Sequence, residues 1–371
     1  MSRADRLIVL TAGGTGGHVF PAEALAAELL GRGRRLNLVT DHRGQAYGGT
    51  LGQLATHRIS AGGIAGRGVA ARLSAVGALG LGLFQARALL ARLQPAVVVG
   101  FGGYASVPAM LAGWFLGIPT LLHEQNAVLG RANRLLAGRA SSIATSFGEV
   151  SHVSAASRGK LVCTGMPVRP AILARRDDAL PALTATDPIQ LLVLGGSQGA
   201  RALSQVVPAA LTALPEGLRQ RIRLSQQCRP EDLDQVRQAY AGSGIDTTLA
   251  SFFQDVPERL ASAHLVIARS GASTVAELTA VGRASILVPY PFAIDDHQTA
   301  NARALEKAGG AWLIPQSSFD APTLAARLAA LLASPDHLSQ AARQARAAGV
   351  PDAARRLADL VDRLADFEVS P

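Results

Sequence analysis

Short apolar segments that suit β-strands alternate with helix candidates along the whole chain, and this alternation constrains the fold more than any other feature. It predicts an α/β fold of parallel sheets with helices on both faces, because each parallel strand is reached through a crossover. The 371 residues are too many for one ordinary domain and suit two. We predict strands at 6–12, 36–40, 57–60, 96–100, 119–123, 142–145 and 161–163, and then at 189–194, 222–226, 246–250, 264–268, 285–288 and 311–314.

Two glycine-rich runs begin the two halves of this pattern. Gly13-Gly14-Thr15-Gly16-Gly17-His18 and Gly195-Gly196-Ser197-Gln198-Gly199-Ala200 each follow an apolar strand and open a helix. Such loops present backbone N–H groups to an anion, although a glycine turn can also simply tighten a strand–helix connection. The first run is not the dinucleotide fingerprint, since Val19 stands where the third glycine is required. Prolines cluster at 165–188, which predicts domains at 1–165 and 166–350.

The composition narrows the class of protein. An excess of Lys and Arg over Asp and Glu gives a net charge of +9, which reflects either a codon-biased genome or a basic face for an anionic partner. Aromatic residues are only 4% of the chain, which argues against a base-stacking surface for nucleic acid. Cys163 and Cys228 lack metal-ligand spacing and suit a reducing compartment. The N-terminus leads directly into a strand, so we expect no signal peptide.

Residues 93–122 carry no charge and imitate a membrane span. Prolines and glycines interrupt them, so we predict instead a strand at 96–100, a helix at 107–117 and a strand at 120–123.

A second apolar stretch, at 70–93, is flanked by arginines at 67, 72, 87 and 92. Apolar residues rimmed by arginine suit the interface of an anionic membrane, while an ordinary core helix is the alternative. The side chains expected at the membrane are Leu73, Leu79, Leu83, Phe84 and Trp114.

Polar residues follow several of the predicted strands, where ligands bind in open α/β sheets. His123-Glu124-Gln125-Asn126 ends a buried strand. In 269–277, Glu277 could accept hydrogen bonds from a ribose diol, or Thr274 and Glu277 could form a capping box. In 295–301, Gln298 and Asn301 share a helix face that fits sugar hydroxyls, unless the helix start is simply solvated. Asp232 and Asp234 resemble a metal–nucleotide pair, but a charged helix-like run favours a surface face.

Taken in order, these motifs resemble the MurG family of GT-B glycosyltransferases over nearly the whole chain. The matching segments are 13–18, 100–104, 123–126, 165–169, 195–201, 269–277 and 295–301. The resemblance implies two Rossmann-like domains whose parallel sheets face each other across a cleft. It also implies an inverting transfer of GlcNAc from UDP-GlcNAc to the 4-hydroxyl of MurNAc in lipid I, undecaprenyl-diphospho-MurNAc-pentapeptide. The product is lipid II for peptidoglycan synthesis.

The resemblance also implies roles for individual residues. His18 is the candidate general base, with Glu124 as the competing base or its orienting partner. Glu277 would hold the ribose, the backbone near Phe253 the uracil, and Gln298 the GlcNAc hydroxyls. The loop at Ser197 would stabilise the leaving diphosphate with the help of Arg169, so we expect no metal and no other cofactor. The full set of substrate contacts is Thr15, Gly16, Gly17, Asn126, Arg169, Ser197, Phe253, Ala272, Ser273, Thr274, Val275, Ala276, Glu277 and Gln298.

Location and partners follow from the lipid acceptor. We expect a peripheral protein on the cytoplasmic side of the inner membrane, bound to its anionic surface, with no nucleic-acid partner. The first domain would hold the acceptor and the second UDP-GlcNAc, with an amphipathic helix at 351–367 packing back onto the first. Another GT-B UDP-sugar transferase acting on a lipid or small-molecule acceptor, a UDP-GlcNAc 2-epimerase and a basic RNA-binding protein are the alternatives.

Overall fold

The computed structural model describes residues 6–13, 16–41, 48–61, 69–180, 183–184, 186–196 and 199–366, without the side chains of 69–76. The chain divides into two compact units. Unit 1 comprises Met1–Arg169 and Pro351–Pro371, and unit 2 comprises Pro170–Val350. The division therefore falls four residues later than the sequence suggests, because the segment that ends at Arg169 packs with unit 1.

Unit 1 contains a seven-stranded parallel sheet with the order β3-β2-β1-β4-β5-β6-β7. Its strands are β1 (Leu7–Thr11), β2 (Arg35–Asp41), β3 (Ala55–Ile59), β4 (Val97–Gly100), β5 (Thr120–Glu124), β6 (Ser142–Thr145) and β7 (Leu161–Cys163). Its helices are α1 (Gly16–Gly31), α2 (Val69–Leu93), α3 (Ser106–Phe115), α4 (Arg131–Ala137) and, from the end of the chain, α14 (Ala353–Asp366).

Both faces of this sheet are buried. Along β4, Val97 and Val99 pack into one apolar cluster with α1 and α14, while Val98 packs into the other with α2, α3 and α4. Successive side chains of a strand point to opposite faces, so a strand covered on both sides reads as a continuous apolar run. This explains why the uncharged stretch 93–122 forms a strand, a helix and a strand, as predicted. Among the helices that the structure describes, none is long and apolar enough to cross a membrane.

Helix α14 completes the core of unit 1 although it comes last in the sequence. Leu357 and Val361 are fully buried in the cluster that also holds Ile8 and Leu25. The polar edge of the helix is fixed as well, because Arg32 donates to Asp359 at 2.7 Å and to Asp362 at 2.9 Å.

Unit 2 contains a six-stranded parallel sheet with the order β10-β9-β8-β11-β12-β13. Its strands are β8 (Ile189–Leu194), β9 (Ile222–Gln227), β10 (Asp246–Ala250), β11 (Leu265–Ala268), β12 (Ser285–Leu287) and β13 (Ala311–Leu313). Its helices are α5 (Pro170–Leu173), α6 (Arg201–Thr212), α7 (Glu216–Arg219), α8 (Leu233–Tyr240), α9 (Val256–Ser262), α10 (Ala272–Val281), α11 (His297–Lys307), α12 (Ala321–Leu332) and α13 (Pro335–Ala348). All the predicted strands are present, and the prediction of two Rossmann-like α/β domains is confirmed.

His123, the residue before the last in β5, is fully buried. The Nδ1 atom of His123 lies 3.1 Å from Nε2 of Gln125, and its ring is 5.4 Å from that of Phe101. Burial lowers the pKa of His123 to about 4; the backbone of Gly165 opposes this shift and the charge of His18 adds to it. The imidazole is therefore neutral in the folded protein at neutral pH.

The buried His123 predicts a loss of stability in acid. In the unfolded chain the expected pKa of His123 is about 6.5, so between about pH 6.5 and pH 4 the unfolded state binds a proton that the folded state does not. The free energy of unfolding therefore has its full value above about pH 6.5 and decreases as the pH falls through this range. The loss at pH 4.5 is on the order of 2–3 kcal/mol. We expect urea unfolding of unit 1, followed by Trp114 fluorescence in a Trp312→Phe background, to depend more steeply on pH than in His123→Asn. The exposed His337 gives the control variant His337→Asn, and equal slopes for His123→Asn and its parent would contradict the prediction.

Candidate functional site

In unit 1, the loops after β1 and β4 meet beside His18. These strands are neighbours in the sheet and lead to opposite sides of it, which is the switch point where α/β sheets bind ligands. His18 lies in the first turn of α1. A Cβ on Gly102 would lie 3.4 Å from its Cε1, and a Cβ on Gly103 would lie 3.8 Å from its Nε2. With φ of +87° and +73°, these two glycines place backbone that carries no side chain next to the imidazole, and we call this surface the glycine wall.

Packing alone accounts for Gly13, which begins the first glycine run. A Cβ on Gly13 would lie 2.7 Å from Cβ of Ala105, so the loop needs glycine there for packing alone. Gly16 and Gly17 begin α1, and Thr15 lies outside the described residues. The helix start that can offer backbone N–H groups is therefore present as predicted, and its use by a ligand stays a prediction.

The carboxylate of Glu124 is buried and fully engaged. Its Oε1 accepts from the backbone N–H of Asn126 at 3.0 Å and from the Asn126 amide at 3.3 Å. Its Oε2 accepts from the backbone N–H of Gly130 and from the amide of Asn133, both at 2.8 Å. Glu124 is 1% exposed. Four donors occupy the lone pairs of its two oxygens, so the carboxylate is suited to positioning its neighbours.

Asn133 links Glu124 to the glycine wall that faces His18. Its amide group is 3.6 Å from the position that a Cβ on Gly102 would occupy, on the glycine that also borders the histidine. The side chain is 3% exposed, and within the described residues its Oδ1 accepts no hydrogen bond. Sequence reasoning missed Asn133, because only the return of α4 toward the end of β5 brings it to the site.

Two further predicted contacts lie in unit 1. Asn126 is half-buried next to Glu124 at the end of β5. Arg169 places its guanidinium 5.1 Å from the ring centre of Phe20, which lies two residues after His18 in α1. The structure therefore brings His18, Glu124, Asn126 and Arg169 to the same end of unit 1.

In unit 2, the second glycine run follows β8 at the equivalent switch point, beside β11. Gly196 and Gly199 have φ of +81° and +69°, and the N–H of Gly199 donates to the Gly196 carbonyl at 3.0 Å. The turn leads into α6, whose N-cap is Ala200. Ser197 lies outside the described residues. A helix N-terminus after such a turn carries the partial positive charge that favours an anion.

A third loop, residues 269–271, connects β11 to α10. Gly271 is the N-cap, so Thr274 is the third helical residue and the alternative of a capping box that begins at Thr274 is wrong. Ala272 and Val275 are buried, while the other predicted contacts on this helix are half-buried: Ser273, Thr274, Ala276 and Glu277. Phe253 is 5% exposed, and the centre of its ring lies 4.2 Å from the Arg259 guanidinium. Because the ring is engaged in this way, its backbone is the group that could contact a nucleobase.

Gln298 and Asn301, predicted to share a face, differ in burial. Asn301 is fully buried and donates to the Ser270 carbonyl at 3.1 Å. The Oε1 of Gln298 accepts from the backbone N–H of Tyr290 at 2.9 Å, and its own carbonyl accepts from the Ser270 hydroxyl at 2.8 Å. Among the described residues, the Gln298 amide nitrogen has no hydrogen-bond acceptor, so it remains available as a donor. The first turn of α11 is thus held by hydrogen bonds to Ser270 and Tyr290, so it is more than a helix end exposed to solvent.

Asp232 is not the surface residue that its charged surroundings suggested. It is 7% exposed and bonds to Arg229, whereas Asp234 is exposed and pairs with Arg237. The two carboxylates thus have different partners. In the described part of the chain, no group of three or more His, Cys, Asp and Glu side chains is arranged to hold a metal ion.

Comparison with known proteins agrees with this geometry. Residues 8–145 match the glycosyltransferase family 28 N-terminal domain, and residues 190–357 match the glycosyltransferase family 28 C-terminal domain. The chain is 68% identical, over 97% of both chains, to the UDP-N-acetylglucosamine–N-acetylmuramyl-(pentapeptide) pyrophosphoryl-undecaprenol N-acetylglucosamine transferase of Paramagnetospirillum magneticum. It is 58% identical to the protein of that name from Rhodospirillum rubrum, over 98% of this chain and 93% of the relative.

Among solved structures, the chain resembles the crystal structure of Acinetobacter baumannii MurG. The TM-score is 0.79 at 31% identity, over 96% of this chain and 99% of the other. Because family models match both units and the relatives match almost end to end, the chain belongs to glycosyltransferase family 28, within the MurG family of N-acetylglucosamine transferases.

Proposed function

We propose that this protein transfers GlcNAc from UDP-GlcNAc to the 4-hydroxyl of MurNAc in lipid I, with inversion at the anomeric carbon, and so makes lipid II for peptidoglycan. The observation that carries the proposal is the 68% identity, over 97% of the chain, to a transferase whose name states this donor sugar and acceptor. The polar residues at the carboxyl ends of both sheets support it.

Unit 2 has the groups that a UDP-sugar requires. The turn of Gly195–Gly199 and the start of α6 can stabilise the negative charge that grows on the departing diphosphate. Glu277 is half-buried on α10 and can accept hydrogen bonds from the ribose hydroxyls. Tyr290 fixes Gln298 through the amide oxygen, which leaves the amide nitrogen to donate to a sugar hydroxyl. Because the oxygen of the Gln298 amide is held and its nitrogen can donate, we assign this side chain to the GlcNAc hydroxyls.

Unit 1 supports a division of labour between the two proposed catalytic residues. The acceptor hydroxyl needs a base, and a histidine has a reference pKa of about 6.5, suitable for that role near neutral pH. His18 borders the glycine wall of Gly102 and Gly103. Glu124 is occupied by four donors, so we assign it to orienting Asn126 and Asn133. His18 then removes the proton from the hydroxyl as the oxygen attacks the anomeric carbon and the bond to UDP breaks.

We propose further that unit 1 binds the anionic inner-membrane surface on its cytoplasmic side. Phe84 on α2 and Trp114 on α3 are 73% and 42% exposed, and the Arg139 guanidinium lies 5.1 Å from the Trp114 ring. Leu79 and Leu83 are half-buried against the core, which makes them less available to lipid, while Leu81 is 53% exposed. The side chain of Leu73 is outside the described residues. Exposed apolar residues beside arginines favour an anionic bilayer surface.

The function is tested by transfer of labelled GlcNAc from UDP-GlcNAc to a lipid I analogue. We expect the β-linked product, and we expect transfer to continue with EDTA, because we propose that protein groups and not a metal ion stabilise the leaving diphosphate. Absence of transfer would overturn the assignment. A loss of transfer in EDTA that Mg²⁺ restores would overturn the proposed stabilisation by protein groups alone.

Replacing His18 tests the proposed base. His18→Ala should lower kcat by about 100-fold or more, since a general base contributes this much, and should leave binding of UDP to unit 2 unchanged. The matched control is His337→Ala on α13, whose side chain is exposed and which should retain wild-type turnover. Near-native turnover of His18→Ala at saturating donor would show that His18 is not the base.

Membrane binding is tested with the exposed residues of α2. Leu81→Glu together with Phe84→Glu should weaken co-sedimentation with phosphatidylglycerol vesicles by about tenfold or more, because apolar contact is lost and two negative charges are added. The control is Phe292→Glu in unit 2, where the native side chain is 79% exposed. Unchanged vesicle binding by the double variant, or an equal loss in the control, would rule out α2 as the membrane contact.

A further inference from the structure

Side chains at the end of β9 and just after it contact the second glycine loop at both of its ends. Because β9 lies beside β8 in the sheet, its carboxyl end emerges next to the loop. The N–H of Gly195, where the loop begins, donates to Oε1 of Gln227 at 3.3 Å. The amide nitrogen of Gln227 in turn donates to the carbonyl of Ser251 at 3.2 Å. One side chain therefore connects the start of the loop to the segment that leads to Phe253.

Arg229 holds the other end of the loop through its aliphatic stem. A Cβ on Gly199 would lie 2.4 Å from Cγ of Arg229, so the stem lies directly against the Gly199 backbone. Gly199 also has a positive φ of +69°. The close approach restricts a residue that would otherwise be the most flexible kind in the chain.

The position of Arg229 is set by Asp232. Its Nε donates to Oδ2 at 2.7 Å and its Nη2 donates to Oδ1 at 2.6 Å, a two-point contact that fixes the plane of the guanidinium. Asp232 is 7% exposed, and the Arg229 guanidinium lowers the pKa of its carboxyl, to which Ser204 and Arg201 of α6 also contribute. The pair therefore contacts the loop through the Arg229 stem and lies at the start of α8, whose N-cap is Asp232.

We propose that Gln227, Arg229 and Asp232 form a brace that holds Gly195 and Gly199, the two ends of the second glycine loop, in position for the donor diphosphate. The inference rests on the proposed function, in which this loop binds the diphosphate of UDP-GlcNAc. A glycine loop whose ends are free must be ordered on binding, and holding the two ends beforehand lowers that cost. The three members are positioning residues, since they act on the ligand through the loop.

The same helix region supplies a matched control. Arg237 and Asp234 form a pair with the same three-residue spacing, but their side chains are 64% and 96% exposed. Nothing in the described structure connects this pair to the glycine loop. A variant of Arg237 removes an arginine and an ion pair from unit 2 without touching the brace.

The test compares UDP with uridine by calorimetry on the full-length protein. Arg229→Ala should weaken UDP binding by about tenfold and change uridine binding less than about twofold, because only UDP carries the diphosphate. Arg229→Met retains the stem and should show a smaller loss that is again specific to UDP, which keeps the test available if the alanine variant does not fold. Arg237→Ala should bind both ligands as the parent does.

Kinetics give a second measurement. In the transfer assay, Arg229→Met should raise KM for UDP-GlcNAc and leave KM for the lipid I analogue unchanged. Equal losses of UDP and uridine binding, or no loss of UDP binding in Arg229→Ala, would overturn the brace. If the parent protein itself fails to bind UDP, the proposed function fails instead, so the two failures are distinguishable.

Discussion

Burial of both faces of two parallel sheets is the constraint on which the rest of this structure depends. A strand such as β4 has no solvent-facing side on which to place polar groups, so its residues 97–99 are all valine. In the central strands β1, β4 and β5, charged and amide side chains are consequently confined to the strand ends and the loops beyond them. In parallel sheets, all the carboxyl ends meet at one edge, and the polar residues of each unit accordingly collect there.

This confinement places a second demand on the residues at that edge. Glu124 is the last residue of a buried strand, and an uncompensated charge there would cost several kcal/mol. Four hydrogen-bond donors compensate it, and two of them belong to the backbone of the loop that follows. The contacts that compensate the buried charge of Glu124 also fix the conformation of the loop after β5. The same hydrogen bonds therefore stabilise the buried carboxylate and shape the site.

The local pattern of the sequence is sufficient to predict the strands, both glycine loops and the carboxyl-edge location of the polar motifs, since each depends on neighbours in the chain. What it misses depends on distant contacts. Asn133 reaches Glu124 only through the position of α4, and Arg229 with its partner Asp232 meets the second glycine loop only because β9 lies beside β8. Similarly, apolar spacing cannot distinguish Leu79, which faces the core, from Leu81, which faces solvent, until the packing of α2 is known.

The return of the chain's final helix to unit 1 has a consequence for how the protein is made. Arg32 and Asp359, joined by a 2.7 Å hydrogen bond, are 327 residues apart in sequence, and all of unit 2 is synthesised between them. The apolar surface of α1 that Leu357 and Val361 cover is therefore exposed throughout translation. The strands of unit 1 are the first to leave the ribosome, but unit 1 is complete only when α14 has been synthesised. Unit 2 must therefore fold while this apolar surface of α1 is still uncovered.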